Sequence, residues 1–325
     1  MKVLVTGGAG YIGSTVCAHL LQAGHQVVVL DNLSNGHAEA VPEGAELVTG
    51  EVADRGLLDR LLSGAEAVLH FAAFIEVGES MKDPIKHFRN NTATTISLLE
   101  AMLAHGVKKF VFSSTAALYG NPEQVPIPES EPLKPTNAYG ESKHLVEKAL
   151  SWLHSQNGLR YASLRYFNAA GGCPDRGEDH RPESHLIPIV LEVARGVRQQ
   201  IQIFGDDYPT RDGSAIRDYV HIEDLASAHV LALEALERKD KLIYNLGNGT
   251  GFSVKEVIEV ARQVTGHPIP AHISPRRQGD PAQLVACSDR IRAELGWTPK
   301  YPDLESIVST AWAWHSGHPN GFADR

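Results

Sequence analysis

Cysteine is scarce: Cys17, Cys173 and Cys287 are the only three in 325 residues, far apart and in no CxxC pattern. That excludes a disulfide framework and reads as buried thiols of a reducing compartment. No apolar run approaches the roughly 20 residues of a membrane span. The net charge of -9 comes without an acidic tail or a basic block, so neither nucleic acid nor a membrane surface is favoured as a partner. The sixteen histidines form no HExxH and no Cys/His ligand spacing, and no metal site is expected; His315 and His318 read as surface residues. There is no internal repeat and no low-complexity stretch, and no signal peptide is expected before the first strand. A cytoplasmic soluble protein is expected.

What is present is ample apolar mass, 42% hydrophobic against 21% charged, enough for one large domain or two interlocked ones. Residues 2–6 (KVLVT) read as a strand stopping at Gly7-Gly8. Helical spacing follows through Ile12, Val16, Leu20 and Ala23, and a second strand spans 25–30. Further strands are expected at 45–49, 67–70, 109–112 and 161–165, with helices at 55–62, from about 85 to 105, and from Tyr139 onward. Alternating strands and helices predict an α/β fold: a Rossmann-type, doubly wound parallel sheet. After Asn168 the texture turns to polar, glycine- and proline-rich loops between shorter elements. The second part should cap the sheet as a smaller interleaved α/β domain. The expected division is 1–168 plus about 217–247 for one domain, and 169–216 plus about 248–325 for the other.

Three groups carry chemistry. Gly7, Gly10 and Gly13 follow a strand and open a helix, satisfying both GxxGxxG and, with Gly8, GxGxxG. Such glycines let the backbone approach a pyrophosphate at a helix N-terminus. Asp31 ends the second strand, where a carboxylate binds ribose hydroxyls and repels a 2′-phosphate, which favours NAD over NADP. Tyr139 and Lys143 lie one turn apart on a helix that Thr136 or Asn137 can cap. Leu145, Val146, Ala149, Leu150 and Trp152 read as its buried stripe. Thr115 ends the fifth strand at the carboxyl edge. A lysine ammonium beside Tyr139 lowers a phenol pKa of about 10 and suits it to take a proton from an alcohol.

Together TGGAGYIG, the strand-end hydroxyls and YxxxK resemble the extended short-chain dehydrogenase/reductase superfamily. More narrowly, DNLSNGH, FSSTAALYG, AYGESK, LRYFNAAG, HLIP, IFGDDYPTRDGSAIRDYVHIEDLA and YNLGNG resemble the UDP-glucose (UDP-galactose) 4-epimerase family over nearly the whole chain. The resemblance implies Tyr139 as catalytic base, Lys143 as its electrostatic partner and a nicotinamide-ribose ligand, and Thr115 as a hydrogen-bonding partner of both phenol and sugar. It implies NAD contacts from the glycine turn with Tyr11 and Ile12; from Asp31, Asn32, Leu33, Ser34, Asn35 and Gly36; from Glu51 and Val52; and from Phe71, Ala72, Ala73, Ile75, Asn90 and Phe167. UDP-sugar contacts would come from Asn168, His185, Leu186, Gln202, Phe204, Arg217, Arg277, Asp280 and Leu284. Arginines suit a diphosphate, although each alone reads sooner as a surface charge or an ion pair, and His185 could equally cap the helix it begins. A homodimer paired through the long helix from about Ile85 and the Tyr139 helix is also implied.

Four positions depart from the family pattern. Thr115 stands where Ser is usual, Glu51 where Asp is, and Ile75 where some members carry Lys. Leu284 lies where the family sets the room beside the sugar's C2 group, which leaves a 4-epimerase of UDP-N-acetylglucosamine or another UDP-sugar as the alternative. Related dehydratases carry Asp-Glu after the strand-end Thr; Ala116 and Ala117 here neither donate nor accept a proton.

Overall fold

The computed structural model describes residues 1–277 and 280–322. Its first half runs β1 (Lys2–Thr6), α1 (Tyr11–Gln22), β2 (Gln26–Asp31), β3 (Glu46–Thr49), α2 (Arg55–Leu62), β4 (Ala67–His70), α3 (Val77–Lys82), α4 (Pro84–His87), α5 (Thr94–Ala104), β5 (Lys109–Thr115), α6 (Ala138–Asn157) and β6 (Arg160–Tyr166). There follow β7 (Asn168–Ala170), α7 (Leu186–Ala194), β8 (Ile201–Phe204), β9 (Ile216–Arg217), β10 (Tyr219–His221), α8 (Ile222–Ala235) and β11 (Lys241–Leu246). The chain closes with β12 (Phe252–Ser253), α9 (Val254–Thr265), β13 (Ala271–Ser274), β14 (Gln283–Leu284), α10 (Asp289–Leu295) and α11 (Leu304–Gly317).

Valine and leucine fill β1, β2 and β4, with Phe110 and Phe112 in β5, because both faces of the sheet are covered. Seven strands pair in the order β11-β6-β5-β4-β1-β2-β3, each neighbour parallel. On one face Val16 and Leu20 of α1 meet Leu225, Ala232 and Leu233 of α8. On the other, Leu58, Leu98, Val146 and Leu150 join α2, α5 and α6 to Phe110 and Phe112. The chain builds outward from β1 to β3, then returns past β1 to β4. That reversal opens the crevice at the carboxyl ends of β1 and β4 where open α/β sheets bind ligands.

Beyond β6 the chain crosses between the sheet and a second core. That core is made by Val190 and Leu191 of α7, Val257 and Ile258 of α9, and Ile307 and Val308 of α11, packed with Ile201 and Ile203. Small ladders stitch it together: β10 on β7, β12-β9-β14, and β13 on β8. β11 then rejoins the main sheet beside β6.

Two expectations need correction. The helix read as continuous from about Ile85 is α4 and α5 joined by a π-helical turn over Phe88–Ala93. There Asn91 turns inward and exchanges both hydrogen bonds with the Phe74 backbone, its Oδ1 accepting at 2.9 Å and its Nδ2 donating at 2.9 Å. Trp152 is not in the buried stripe of α6: it is 69% exposed, because the inward face runs through Lys143, Val146, Glu147 and Leu150.

Candidate active site

The turn after β1 shows why glycine is needed. Gly7 has φ +74°, and a Cβ on it would lie 2.4 Å from the Ala72 nitrogen; one on Gly13 would lie 2.2 Å from the Gly7 carbonyl oxygen. Helix α1 can therefore approach the strand ends only without those side chains. Its N-terminus has no side-chain cap at Gly10 and no acidic residue in the first turn, so its amides and dipole are available to an anion. Tyr11 and Ile12 are half-buried beside it. Asp31 accepts from the Ala9 amide at 3.0 Å and the Leu33 amide at 2.9 Å, tying the glycine turn to Asn32–Gly36. Burial pushes its carboxyl up, and those two amides pull it back. A carboxylate with one bond on each oxygen retains lone pairs for ribose hydroxyls. Ser34, Asn35 and Gly36 follow in that loop, with Gly36 against Ala9. Asn32 donates to Glu51 at 3.1 Å, and Val52 is buried behind it. Phe71 and Ala72 both donate backbone N–H to the Thr6 carbonyl, with Ala73 and Ile75 continuing that edge. Asn90 donates to Asn91 at 3.0 Å. An uncapped helix end, a cradle closed to any Cβ and a carboxylate at the second strand fit a dinucleotide with a free 2′-hydroxyl.

Next to this crevice, β5 ends at Thr115 and α6 begins. Asn137 is the cap that forms, accepting from the Gly140 amide at 2.8 Å, and it sets the first turn so that Tyr139 and Lys143 share a face. Gly140 is needed there: its Cβ would lie 2.6 Å from the Ala117 carbonyl oxygen. Burial pushes the Tyr139 phenol up to about 12, while a hydrogen bond with Thr115 pulls it down and the charge of Glu76 pushes it further up. Lys143 is 2% exposed. Its Nζ donates to the Ser113 carbonyl at 2.9 Å and sits 4.9 Å from the centroid of the Phe112 ring. Burial lowers it to about 7. The lowered phenol expected beside a lysine ammonium is thus not a property of the chain alone, because Lys143 is itself desolvated and engaged with a carbonyl.

The second group gathers through the short ladders. Leu284 pairs with Arg217 across β14 and β9. Asn168 donates through its backbone and through Nδ2, at 2.8 Å, to the Asp218 carbonyl. Phe167 and Leu284 pack against the cluster of Ala116, Tyr119 and Ile127, directly beyond Thr115. Arg217 donates to the Pro281 carbonyl at 3.0 Å; burial pulls its guanidinium down and the charge of Asp280 pushes it up. The Arg277 guanidinium stacks 4.0 Å over the Phe204 ring, and Gln202 lies two residues before Phe204 on β8. Two arginines, an aspartate and an aromatic thus face a common region. His185 is at the N-cap of α7 but does not cap it with its side chain. Its ring engages Glu178 and Glu183, and Leu186 follows, half-buried.

Sequence reasoning missed the support beneath the site. Glu147, one turn beyond Lys143, accepts from Ser114 at 2.7 Å and holds the buried Arg165 through 3.0 and 2.5 Å contacts. Arg165 in turn donates to the Tyr119 hydroxyl at 2.9 Å, and that hydroxyl donates to Asn245 at 2.7 Å. The four-residue step from Tyr139 to Lys143 to Glu147 was the available signal. Ser113 hydrogen-bonds the Tyr166 hydroxyl.

A parallel sheet with a glycine-lined crevice and a tyrosine–lysine–threonine group beside it defines a nucleotide-dependent enzyme of the short-chain type. The chain belongs to the NAD dependent epimerase/dehydratase family, whose model matches residues 3–247. It is 58% identical to a UDP-glucose 4-epimerase of Halalkalibacterium halodurans, over 99% of this chain and 98% of that one. A crystal structure of a UDP-glucose 4-epimerase superposes with a TM-score of 0.97 at 49% identity, covering 100% of both chains. A second, from Stenotrophomonas maltophila with bound NAD and formylated UDP-arabinopyranose, gives 0.95 at 41% identity over 98% of this chain and 99% of that one.

Proposed function

We propose that this chain is an NAD-dependent UDP-glucose 4-epimerase, interconverting UDP-galactose and UDP-glucose at C4 through a 4-keto sugar. The observation that carries this is the pairing of Tyr139 with Thr115 at the end of β5, followed by two alanines. One proton carrier is enough for epimerisation and too few for elimination of water. Tyr139 takes the C4 hydroxyl proton and later returns it. Thr115 hydrogen-bonds the phenol and orients the sugar hydroxyl. Lys143 supplies positive charge that favours phenolate when protonated. NAD, when bound, accepts hydride from C4 and gives it back, so none is consumed.

The glycine turn, Asp31–Gly36, Glu51, Val52, Phe71–Ala73, Ile75, Asn90 and Phe167 would hold NAD, with Thr115, Tyr139 and Lys143 closing over it. Asn168, His185, Leu186, Gln202, Phe204, Arg217, Arg277, Asp280 and Leu284 would hold the UDP-sugar. Residues 1–168 with 217–247 then form the NAD-binding domain, and the remainder forms the UDP-sugar domain. No helix among the described residues is long and apolar enough to cross a membrane; the proposed site of action is the cytoplasm. Ile96 on α5 and Trp152 on α6 are large exposed apolar side chains, and they support a homodimer paired through those helices. The test is incubation of the purified protein with UDP-galactose and no second substrate. UDP-glucose should accumulate to equilibrium; none appearing, even with NAD supplied, refutes the assignment.

A further inference from the structure

Between β7 and α7 the segment Glu-Asp-His-Arg-Pro-Glu-Ser-His (178–185) folds so that Glu178, His180, Glu183 and His185 converge. One ligand atom from each lies within 4.8 Å of all the others. The two carboxylates are nearly buried, with side chains 4% and 6% exposed. Both imidazoles turn the same ring nitrogen toward them: His180 Nδ1 is 3.1 Å from Glu178 Oε1, and His185 Nδ1 is 2.6 Å from Glu178 Oε1 and 3.0 Å from Glu183 Oε1. The one Nδ1–H of His185 is shared between the two carboxylates, while Glu183 Oε1 also accepts from the Ser184 and His185 amides, each at 2.7 Å. One cation at the centre serves all four groups.

The geometry points to a structural divalent-metal site, of the zinc type, formed by Glu178, His180, Glu183 and His185. Two imidazoles and two carboxylates without thiolate suit zinc or a neighbouring transition ion rather than calcium or magnesium. Tetrahedral zinc with bonds of about 2.1 Å sets its ligand atoms about 3.4 Å apart. The three shortest contacts, 2.6–3.1 Å, reach that spacing by opening less than about 1 Å, and the remaining pairs, within 4.8 Å, by closing no more than about 1.4 Å, which side-chain rotation can supply. The site would act as a clamp. The His180 ring is edge-on to Tyr11, with centroids 6.4 Å apart, and the Tyr11 hydroxyl donates to the Gly171 carbonyl at 2.7 Å. A bound ion would therefore fix the 171–185 segment against the first residue of α1 and fix the start of α7, which carries Leu186. It also changes the reading of His185, whose ring is committed to the cluster.

The chain, freed of any tag and treated with chelator, is titrated with zinc chloride by calorimetry and, separately, with cobalt(II) in the visible region. The expected result is one equivalent bound, the intense visible bands of tetrahedral cobalt, and a melting midpoint that rises and saturates at one equivalent of zinc. His180→Gln and Glu183→Gln should each weaken zinc binding at least tenfold while retaining the circular dichroism spectrum of the parent, which separates loss of the site from loss of the fold. No saturable binding to the parent, or the same affinity in both variants, overturns the proposal. Neither result depends on turnover of a sugar nucleotide.

Discussion

Replacing Lys143 by methionine should make the nucleotide-free protein more stable at neutral pH while removing its activity. Lys143 is 2% exposed and makes one hydrogen bond, to the Ser113 carbonyl, and burial lowers it from 10.5 to about 7. A folded-state value below the free one means that the folded chain holds fewer protons between about pH 7 and 10.5, so its stability rises with pH across that window. At pH 7 this lysine costs the fold about 4 kcal/mol relative to an unfolded chain that keeps it charged. Methionine fills similar space without that cost, but it strands the Ser113 carbonyl, a loss of about 1–3 kcal/mol. The net gain at pH 7 is then about 1–3 kcal/mol, or roughly 1.5–4.5 °C in a thermal melt of a chain this long. By pH 9.5 the parent has recovered about 3 kcal/mol, and the variant should no longer be ahead. The assay is denaturant unfolding of both proteins, stripped of nucleotide, at pH 7 and pH 9.5. Parallel pH dependences for parent and variant would refute the reasoning, because the buried amine would then not be the titrating group.

Tyr139→Phe should keep NAD and UDP-sugar binding and lose nearly all epimerisation, read as galactose-to-glucose conversion; a fully active variant would place the base elsewhere. Leu284→Tyr should depress turnover of UDP-N-acetylglucosamine selectively, because Leu284 packs on the Ala116, Tyr119 and Ile127 cluster beyond Thr115; equal losses on both sugars would count against that position as the gate. Glu147→Gln leaves the buried Arg165 charge without its partner and should cost about 3–5 kcal/mol in denaturant unfolding. Trp152→Glu should convert a dimer to a monomer by light scattering, whereas a parent that is already monomeric would remove the basis for the proposed pairing.

The parallel sheet was legible because strand and helix periods alternate cleanly, and α2 falls where the pattern put it. The glycine turn was legible for a stronger reason: strand, turn, helix and acidic strand end occur in order, and each has one physical use. Less visible were features whose cause lies far away in sequence. Nothing local marks the π-helical turn at 88–93; it follows from Asn91 reaching Phe74. Strands β9 and β14 are two residues each and carry no period, yet their pairing is what sets Arg217 beside Leu284. The 178–185 segment read as a polar loop because its ligand types match no familiar spacing, and only the fold shows that they converge.

Helix α6 places Tyr139, Lys143, Glu147 and Leu150 on successive turns of one face. Substrate chemistry, strand-end support and core packing are therefore fixed by a single helical register. Exchanging a residue on this face changes one function, but inserting or deleting one between 139 and 143 rotates everything beyond it by about 100°. The lysine and the glutamate would leave their partners together, and the core residue with them. Natural length variation in such a chain should accordingly gather in loops such as 205–215, while this helix drifts only by substitution.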